Sequence, residues 1–289
     1  MEANTQLNES SLAEAWQELH LQSLNNHPLH ADSNRLAFAD PEFLFRRETR
    51  GIRFQLELLK PELSQADQGI ESTVVVYGSA RFVAPDEAAQ QLADAQASGD
   101  PEAIALAQRA VRNGHYYDQA RQFSRLVAEH SNRQAPENRL FICTGGGPGI
   151  MEAANRGAHD ESAPTVGLNI VLPHEQSGNP FITPTLNFKF HYFALRKMHF
   201  MMRAKALVAF PGGFGTLDEV FEVLTLVQTG KAKPVPIVLF GSAYWKSFIN
   251  FEFLAEEGTI SPEHLQLFHY ADDAHATWRI VRDFYQLSH

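Results

Sequence analysis

The chain has 289 residues, and its 34 acidic and 24 strongly basic side chains give a formal net charge of −10 at neutral pH. This balance argues against a protein that tracks nucleic-acid phosphates, because such a protein needs a basic face. The single cysteine, Cys143, excludes an internal disulfide and a structural zinc site built on two or more thiolates.

The hydropathy pattern has no feature of a membrane or secreted protein. No apolar run reaches the roughly 20 residues that a helix needs to cross a bilayer. The first residues are acidic and polar, with neither a basic nor an apolar region typical of a secretory signal. A nearly cysteine-free chain fits a reducing compartment. We therefore expect a cytoplasmic globular protein that has no membrane partner.

The first part of the chain is predicted to be a polar arm followed by a helix. The arm covers residues 1–38 and includes a short amphipathic helix over Ser11–Leu24. Asp40 and Pro41 are typical of an N-cap and a first helical position. We expect the helix that starts there to end at Pro61, because proline interrupts helical hydrogen bonding.

The remaining residues, 39–289, are predicted to form one Rossmann-like domain. The β-branched run at 73–77, TVVVY, is typical of a buried strand. The helical residues that follow, about 85–131, are too many for a minimal crossover and indicate a helical insertion.

Beyond the insertion, strands and helices alternate. This alternation predicts an α/β fold, a doubly wound parallel sheet with helices on both faces. The predicted strands are 140–144, 165–171, a short extended segment at 186–190, 206–210 and 236–240, and the predicted helices are 150–158, 192–205, 216–229, 243–256 and 274–287.

Two glycine-rich turns each link an apolar strand to a helix: residues 145–149, GGGPG, and residues 211–216, PGGFGT. Both are expected at the carboxyl ends of parallel strands, where ligands bind. Glycines let backbone N–H groups approach an anion, which the following helix N-terminus also favours. Either turn alone is most simply a tight connection, but two on one edge favour a phosphate site.

The standard nucleotide motifs do not fit these turns. A dinucleotide-binding G-x-G-x-x-G pattern would need glycine where Ile150 and Asp218 stand. No P-loop pattern, G-x-x-x-x-G-K-[ST], occurs in the chain.

A basic helix precedes the second glycine turn. Arg196, His199 and Arg203 are spaced to share one helical face, and Lys197 lies beside them. A solvated basic face is one interpretation. The other is that Arg196 holds a ribose or phosphate oxygen with its planar guanidinium.

Two carboxylates are candidates for the chemistry at this edge. Glu219 follows Thr216 by three residues, a spacing that fits either a capping box or a carboxylate facing the ligand of the glycine turn. Asp218 is about 100° away around the helix and is expected to point elsewhere. Glu175, after His174, is a second acid at the same edge, and an ordinary loop acid is its alternative interpretation.

Together these motifs resemble the LONELY GUY family of phosphoribohydrolases, whose fold is often mislabelled lysine decarboxylase. The resemblance covers about residues 73–245, and the segment 40–62 and the insertion are similar to longer bacterial members. It rests on Arg196-Lys197, on P-G-G-x-G-T-x-x-E at 211–219, on Gly145–Met151 and on Gly78-Ser79-Ala80.

The resemblance implies hydrolysis of the N-glycosidic bond of a nucleoside 5′-monophosphate to a free base and ribose 5-phosphate. Plant-type members release cytokinins from their riboside monophosphates, whereas the longer bacterial ones resemble AMP nucleosidases. It also implies a homodimer or higher homo-oligomer. Arg196 and Glu219 would be catalytic. The implied substrate-binding residues are Gly78, Ser79, Gly146, Gly147, Met151, Glu175, Arg196, Lys197, Gly212, Gly213, Phe214, Gly215, Thr216 and Thr225.

The residue types agree with this chemistry. Breaking a ribosyl C–N bond builds positive charge on the sugar, as in glycoside hydrolysis. A carboxylate such as Glu219 can stabilise that charge or activate water. The glycine turns and Thr216 would hold the 5′-phosphate, and neither a metal nor an organic cofactor is required. The acid that protonates the leaving base is not identified, with Glu175 as a candidate.

Three other functions compete with hydrolysis. A non-catalytic carrier, for example of molybdenum cofactor, could use the same glycine turns for a phosphate group. A pyridoxal-phosphate decarboxylase needs a Schiff-base lysine, and Lys197 is a poor candidate in so short a chain. A DNA-binding relative of the fold conflicts with the net charge of −10.

Overall fold

The computed structural model describes residues 36–171 and 178–287. The predicted helix over Ser11–Leu24 lies outside these residues. The chain divides into two compact units, Met1–Leu56 and Glu57–His289.

The predicted helix start at Asp40 is confirmed, but the helix is interrupted after one turn. Helix α1 spans Pro41–Leu44, and the Asp40 carboxylate accepts a hydrogen bond from the Phe43 N–H at 3.1 Å. The Thr49 hydroxyl lies within hydrogen-bond distance of the Phe43 and Leu44 carbonyls, so it occupies the open end of this turn.

The next helix, α2, spans Arg50–Asp67 and contains Pro61 in its interior. The prediction that Pro61 ends the helix was therefore wrong. Pro61 and Gln65 form the buried side of α2, and the Gln65 side-chain amide donates to the Pro61 carbonyl at 3.1 Å. The helix continues because packing of this buried side contributes more stability than the loss of one backbone hydrogen bond at Pro61 costs.

The larger unit is built on a seven-stranded sheet in which every pairing is parallel. The strand order is β4-β3-β2-β1-β5-β6-β7, which confirms the predicted doubly wound α/β fold. The order reverses between β1 and β5, where such sheets form a binding crevice. The strands are β1 Thr73–Tyr77, β2 Phe141–Thr144, β3 Thr165–Ile170, β4 Asn187–Phe190, β5 Ala204–Ala209, β6 Ile237–Phe240 and β7 His269–Ala271.

Helices cover both faces of the sheet. Alternate residues of β1 point to opposite sides, so Val75 and Tyr77 join one buried cluster while Val74 and Val76 join the other. In the described part of the chain, no helix has the length and apolarity to cross a membrane. The helices are α3 Pro85–Ser98, α4 Pro101–Asn132, α5 Ile150–Asp160, α6 Phe193–Met202, α7 Phe214–Gln228, α8 Ser242–Phe248, α9 Phe251–Glu256 and α10 Ala274–Tyr285, with 3₁₀ turns at Ala37–Ala39, Pro136–Asn138, Pro184–Leu186 and Pro262–Gln266.

Several boundaries differ from the prediction. The single helix expected at 243–256 is two helices, because the Asn250 side chain caps α9 by accepting from the Phe253 N–H at 3.0 Å. The segment at 186–190 supplies a true strand, β4, and β7 was not predicted. The helical connection between β1 and β2 consists of α3 and α4, with a left-handed Gly99 between them.

The close packing of α5 on α4 can be tested at Gly157. A Cβ atom there would lie 2.1 Å from the Arg121 carbonyl oxygen on α4, so the helices would have to separate. Gly157→Ala should lower the free energy of unfolding by about 1–3 kcal/mol or more, measured by urea denaturation.

Gly51→Ala is the matched control, because Gly51 is also helical and a Cβ there would meet nothing within 4 Å. It should be neutral or slightly stabilising, since alanine is the better helix former. Equal stability of the two variants would show that the α4–α5 contact does not depend on glycine.

Candidate active site

Three glycine turns meet at one edge of the sheet. Strands β2, β1 and β5 are neighbours and parallel, so their carboxyl ends lie side by side. The Ser79 N–H donates to the Pro211 carbonyl at 2.9 Å, and the Ile150 N–H donates to the Ser79 carbonyl at 3.1 Å. We call the turns 78–79, 145–149 and 211–215 the glycine rim. The N-termini of α5 and α7 also start at this rim, which favours an anion there.

Glycine is required at two positions of the rim for different reasons. Gly149 has a φ of +72°, and a Cβ atom there would lie 2.4 Å from the Ser79 carbonyl oxygen. A Cβ atom on Gly212 would lie 2.2 Å from the Thr216 Oγ1 atom. A side chain at position 149 would clash with the backbone of the neighbouring turn, and one at position 212 would displace the Thr216 side chain of its own turn.

Two buried asparagines, Asn155 and Asn179, support the first long glycine turn, residues 145–149. The Asn179 backbone N–H donates to the Gly146 carbonyl at 2.8 Å, and its side-chain amide donates to the Gly147 carbonyl at 3.1 Å. That amide also donates to the Asn155 Oδ1 atom at 2.9 Å, which accepts from the Thr144 hydroxyl at 2.7 Å. The sequence analysis missed this network. The signal that could have indicated it is the helical position of Asn155, a polar residue on the apolar side of α5.

Arg196 reaches the rim from α6. Its Nε donates to the Leu168 carbonyl at 2.8 Å, and its guanidinium lies 5.1 Å from the Phe200 ring centroid. A Cβ atom on Gly145 would lie 2.5 Å from its Nη2 atom, so the guanidinium is packed against the glycine turn. Burial lowers the pKa of Arg196, while the charge of Glu219 acts in the opposite direction.

The other residues of the predicted basic stripe do not reach the rim. His199 is buried beside Phe190, and burial lowers its pKa. Arg203 donates to the Ile70 carbonyl at 2.7 Å and to the Glu62 carboxylate at 2.9 Å. The interpretation as a solvated basic face was therefore wrong, because this side of α6 packs inward.

Glu219 is the buried acid of the site. Its side chain is 6% exposed, and its Oε2 atom accepts a hydrogen bond from the Tyr77 hydroxyl at 3.3 Å. Burial raises the pKa of Glu219 to about 7, against the lowering effect of Arg196 and Lys197. A carboxyl that titrates near neutral pH can both hold and release a proton under physiological conditions.

The capping-box interpretation of Thr216 and Glu219 was wrong. The N-cap of α7 is Gly213, which makes no side-chain cap hydrogen bond, and Thr216 is the third helical residue. Helix α7 therefore starts two residues earlier than predicted. Glu219 lies within the second turn and bonds to Tyr77 on β1 instead of to the helix start.

Lys197 is paired with acids on α7. Its Nζ lies 2.9 Å from Asp218 and 2.7 Å from Glu222. Asp218 thus faces away from the rim, as predicted. Besides pairing with these two carboxylates, Lys197 lowers the pKa of Glu219 through its positive charge.

The remaining predicted residues have different placements. Met151 lies in the first turn of α5 below Gly145, and Phe214 is 92% exposed at the rim. Thr225 is exposed, and its hydroxyl donates to the Phe221 carbonyl of its own helix at 2.7 Å, so the structure does not join it to Glu219. Glu175 lies outside the described residues. Within residues 36–171 and 178–287, no group of three or more His, Cys, Asp or Glu side chains could hold a metal ion.

Together the fold and the site define an α/β protein with a glycine rim at two helix N-termini and a buried carboxyl group, Glu219, near Arg196. A family model described as possible lysine decarboxylase matches residues 151–281. The cytokinin riboside 5′-monophosphate phosphoribohydrolase LOG3 of Arabidopsis thaliana is 31% identical over 135 residues, 45% of this chain and 61% of the relative. The probable enzyme LOG4 of Oryza sativa subsp. japonica is 30% identical over 146 residues, 49% of this chain and 62% of the relative.

The chain is therefore similar to the LONELY GUY phosphoribohydrolases over the matched regions, as the motifs indicated. The matched region spans about three fifths of these two relatives. Among solved structures, TM1055 aligns with a TM-score of 0.45 at 17% identity, over 73% of this chain and 99% of that one. The molybdenum cofactor binding protein of Rippkaea orientalis aligns with a TM-score of 0.44 at 16% identity, over 74% and 98% of the two chains.

The raised pKa of Glu219 predicts a pH-dependent stability. The native protein keeps this proton up to about pH 7, whereas an unfolded chain loses it near the ordinary value of 4.5. The free energy of unfolding therefore falls as the pH rises between these values. Glutamine cannot ionise, so Glu219→Gln should be more stable than wild type by less than about 1 kcal/mol at pH 5 and by roughly 3 kcal/mol at pH 8.

Urea unfolding at both pH values measures this difference. Asp218→Asn is the control, because Asp218 is largely exposed and acts on Glu219 only through its charge, so its gain between pH 5 and pH 8 should be much smaller than that of Glu219→Gln. If Glu219→Gln gained the same stability at pH 5 and at pH 8, the result would contradict a raised pKa for Glu219.

Proposed function

We propose that this protein hydrolyses the N-glycosidic bond of a nucleoside 5′-monophosphate, releasing a free base and ribose 5-phosphate. The observation that carries the proposal is the buried Glu219 carboxyl, with a pKa of about 7, beside Arg196 at an anion-binding rim. Such a pairing of a perturbed acid with a phosphate cradle is typical of a catalytic site.

The 5′-phosphate would bind at the second glycine turn. Gly213 and Gly215 have open space around them, and the N-terminus of α7 starts at Phe214. Backbone N–H groups and the helix dipole together favour a phosphate there without a paired cation. Binding energy from the phosphate would then position C1′ of the ribose against the reacting groups.

The ionised form of Glu219 would act on the sugar. As the C–N bond breaks, the ribosyl ring gains positive charge that a nearby carboxylate can stabilise. The same carboxylate can take a proton from the attacking water, whose oxygen joins C1′ as the C–N bond breaks, and an equivalent proton must reach the base nitrogen for the base to leave in its neutral form. Arg196 has its Nε bonded to Leu168, so its remaining N–H groups are available to orient the ribose hydroxyls.

The names of the relatives support this class of reaction and indicate the first bases to test. The Arabidopsis and rice relatives are named as phosphoribohydrolases of cytokinin riboside 5′-monophosphates. We therefore propose AMP or an N6-modified derivative of AMP as the substrate. A homodimer or higher homo-oligomer, which light scattering would measure, is part of the same proposal.

A nucleotide panel tests the reaction directly. The protein is incubated with AMP, GMP, CMP and isopentenyladenosine 5′-monophosphate, and free base and ribose 5-phosphate are measured by chromatography. At least one nucleotide should release its base, and the matching nucleoside should react about 10²-fold more slowly, because the binding energy of the phosphate is missing. Tight nucleotide binding without base release would indicate a carrier instead.

Exchange of the buried acid tests the assignment within the site. Glu219→Gln keeps the size of the side chain but cannot act as a base, so kcat should fall by about 10²-fold or more while the nucleotide still binds. Asp218→Asn, on the neighbouring face of α7, should retain most of its activity. Wild-type turnover in Glu219→Gln, measured with the best nucleotide, would remove Glu219 from the mechanism.

A further inference from the structure

The Tyr77 hydroxyl forms a hydrogen bond to the Glu219 carboxyl, the acid of the proposed reaction. It is the last residue of β1, is 4% exposed, and stands directly before the first turn of the rim. Its hydroxyl donates to the Glu219 Oε2 atom at 3.3 Å across 142 positions of sequence. Among the described residues, this is the one side-chain hydrogen bond to the Glu219 carboxylate.

We propose that Tyr77 is a positioning residue, which orients the Glu219 carboxylate through this hydrogen bond and favours its ionised form. The proposal rests on the proposed function, since it assumes that Glu219 is the acid that acts on the sugar. Tyr77 lies below the rim and acts on the reaction through Glu219.

The chemistry of the pair supports a fixed direction for the hydrogen bond. Burial and the charge of Glu219 raise the pKa of Tyr77 well above its usual value, so the phenol keeps its proton at physiological pH. A phenol that cannot ionise remains a donor towards a carboxylate. Hydrogen bonding to the charged form of an acid favours that form, and it opposes the desolvation that acts on Glu219.

The charged groups around Glu219 act on its pKa in both directions. Arg196 and Lys197 on α6 lower its pKa, whereas Asp218 and Glu222 on α7 raise it. Cys143 on β2 faces Tyr77 but stays a neutral thiol, because burial raises its pKa far above neutral. Among these groups in the described part of the chain, Tyr77 is the uncharged one that donates a hydrogen bond to the Glu219 carboxylate.

The aromatic ring of Tyr77 also links the two predicted catalytic residues. It meets the Phe200 ring edge-on, with centroids 4.9 Å apart, and Phe200 lies beneath the Arg196 guanidinium. Phenylalanine at position 77 would keep this packing and remove only the hydroxyl. A Tyr77→Phe variant therefore isolates the hydrogen bond.

The test follows the titration of Glu219 by ¹³C NMR of protein labelled at the glutamate carboxyl carbons. The Glu219 signal is the one absent from Glu219→Gln. Tyr77→Phe should raise its midpoint by about one pH unit, and the acidic limb of the kcat/KM profile should move by the same amount. Introducing 3-fluorotyrosine at position 77, a stronger donor, should move the midpoint in the opposite direction.

Tyr117→Phe is the matched control. Tyr117 is 2% exposed, and its hydroxyl donates to the Glu152 Oε1 atom at 2.9 Å on the other side of the sheet. Its loss should leave the Glu219 midpoint and the acidic limb unchanged.

An unchanged Glu219 midpoint in Tyr77→Phe, or a shift of equal size in Tyr117→Phe, would overturn the proposal. The NMR titration does not depend on turnover. If the wild type releases no base from any nucleotide, the proposed function fails, while the titration still decides whether Tyr77 controls the ionisation of Glu219.

Discussion

The parallel pairing of β2, β1 and β5 is the constraint on which the whole site depends. Parallel strands that are neighbours must end at the same edge, so three turns far apart in sequence are brought together. The backbone hydrogen bonds from Ser79 to Pro211 and from Ile150 to Ser79 then join these turns. With this edge in place, Arg196 packs against one glycine turn and Glu219 bonds to Tyr77 at the end of β1, close to the two helix N-termini.

The burial of Glu219 acts against the stability of the fold. Taking an ionisable carboxyl out of water is unfavourable unless it is paired, and no direct ion pair joins Arg196 to Glu219 in the described chain. Burial raises the pKa of Glu219 to about 7, because Arg196 and Lys197 offset that desolvation only in part. Native structures keep such unfavourable groups mainly at functional sites, where a carboxyl poised near neutral pH is useful.

The basic face of α6 shows how one periodic pattern can serve three purposes. Arg196 packs under a glycine turn, His199 lies in the core, and Arg203 bonds to Glu62 and the Ile70 carbonyl. Lys197, which the pattern placed beside this face, pairs with acids of the next helix. Helical spacing groups residues on one side, but the elements packed against that side decide what each residue contacts.

The sequence alone determined the α/β class, the two long glycine turns, the resemblance to the family and the choice of Arg196 and Glu219 as candidate residues, because these depend on local patterns of glycines, strands and motif spacing. Only the tertiary structure decided that α2 continues through Pro61, that Gly213 starts α7, and that Glu219 is a buried acid bonded to Tyr77. Those features depend on burial and on contacts between residues distant in sequence. A residue pattern does not encode desolvation or the partner across the sheet, and these two quantities control the pKa of an acid.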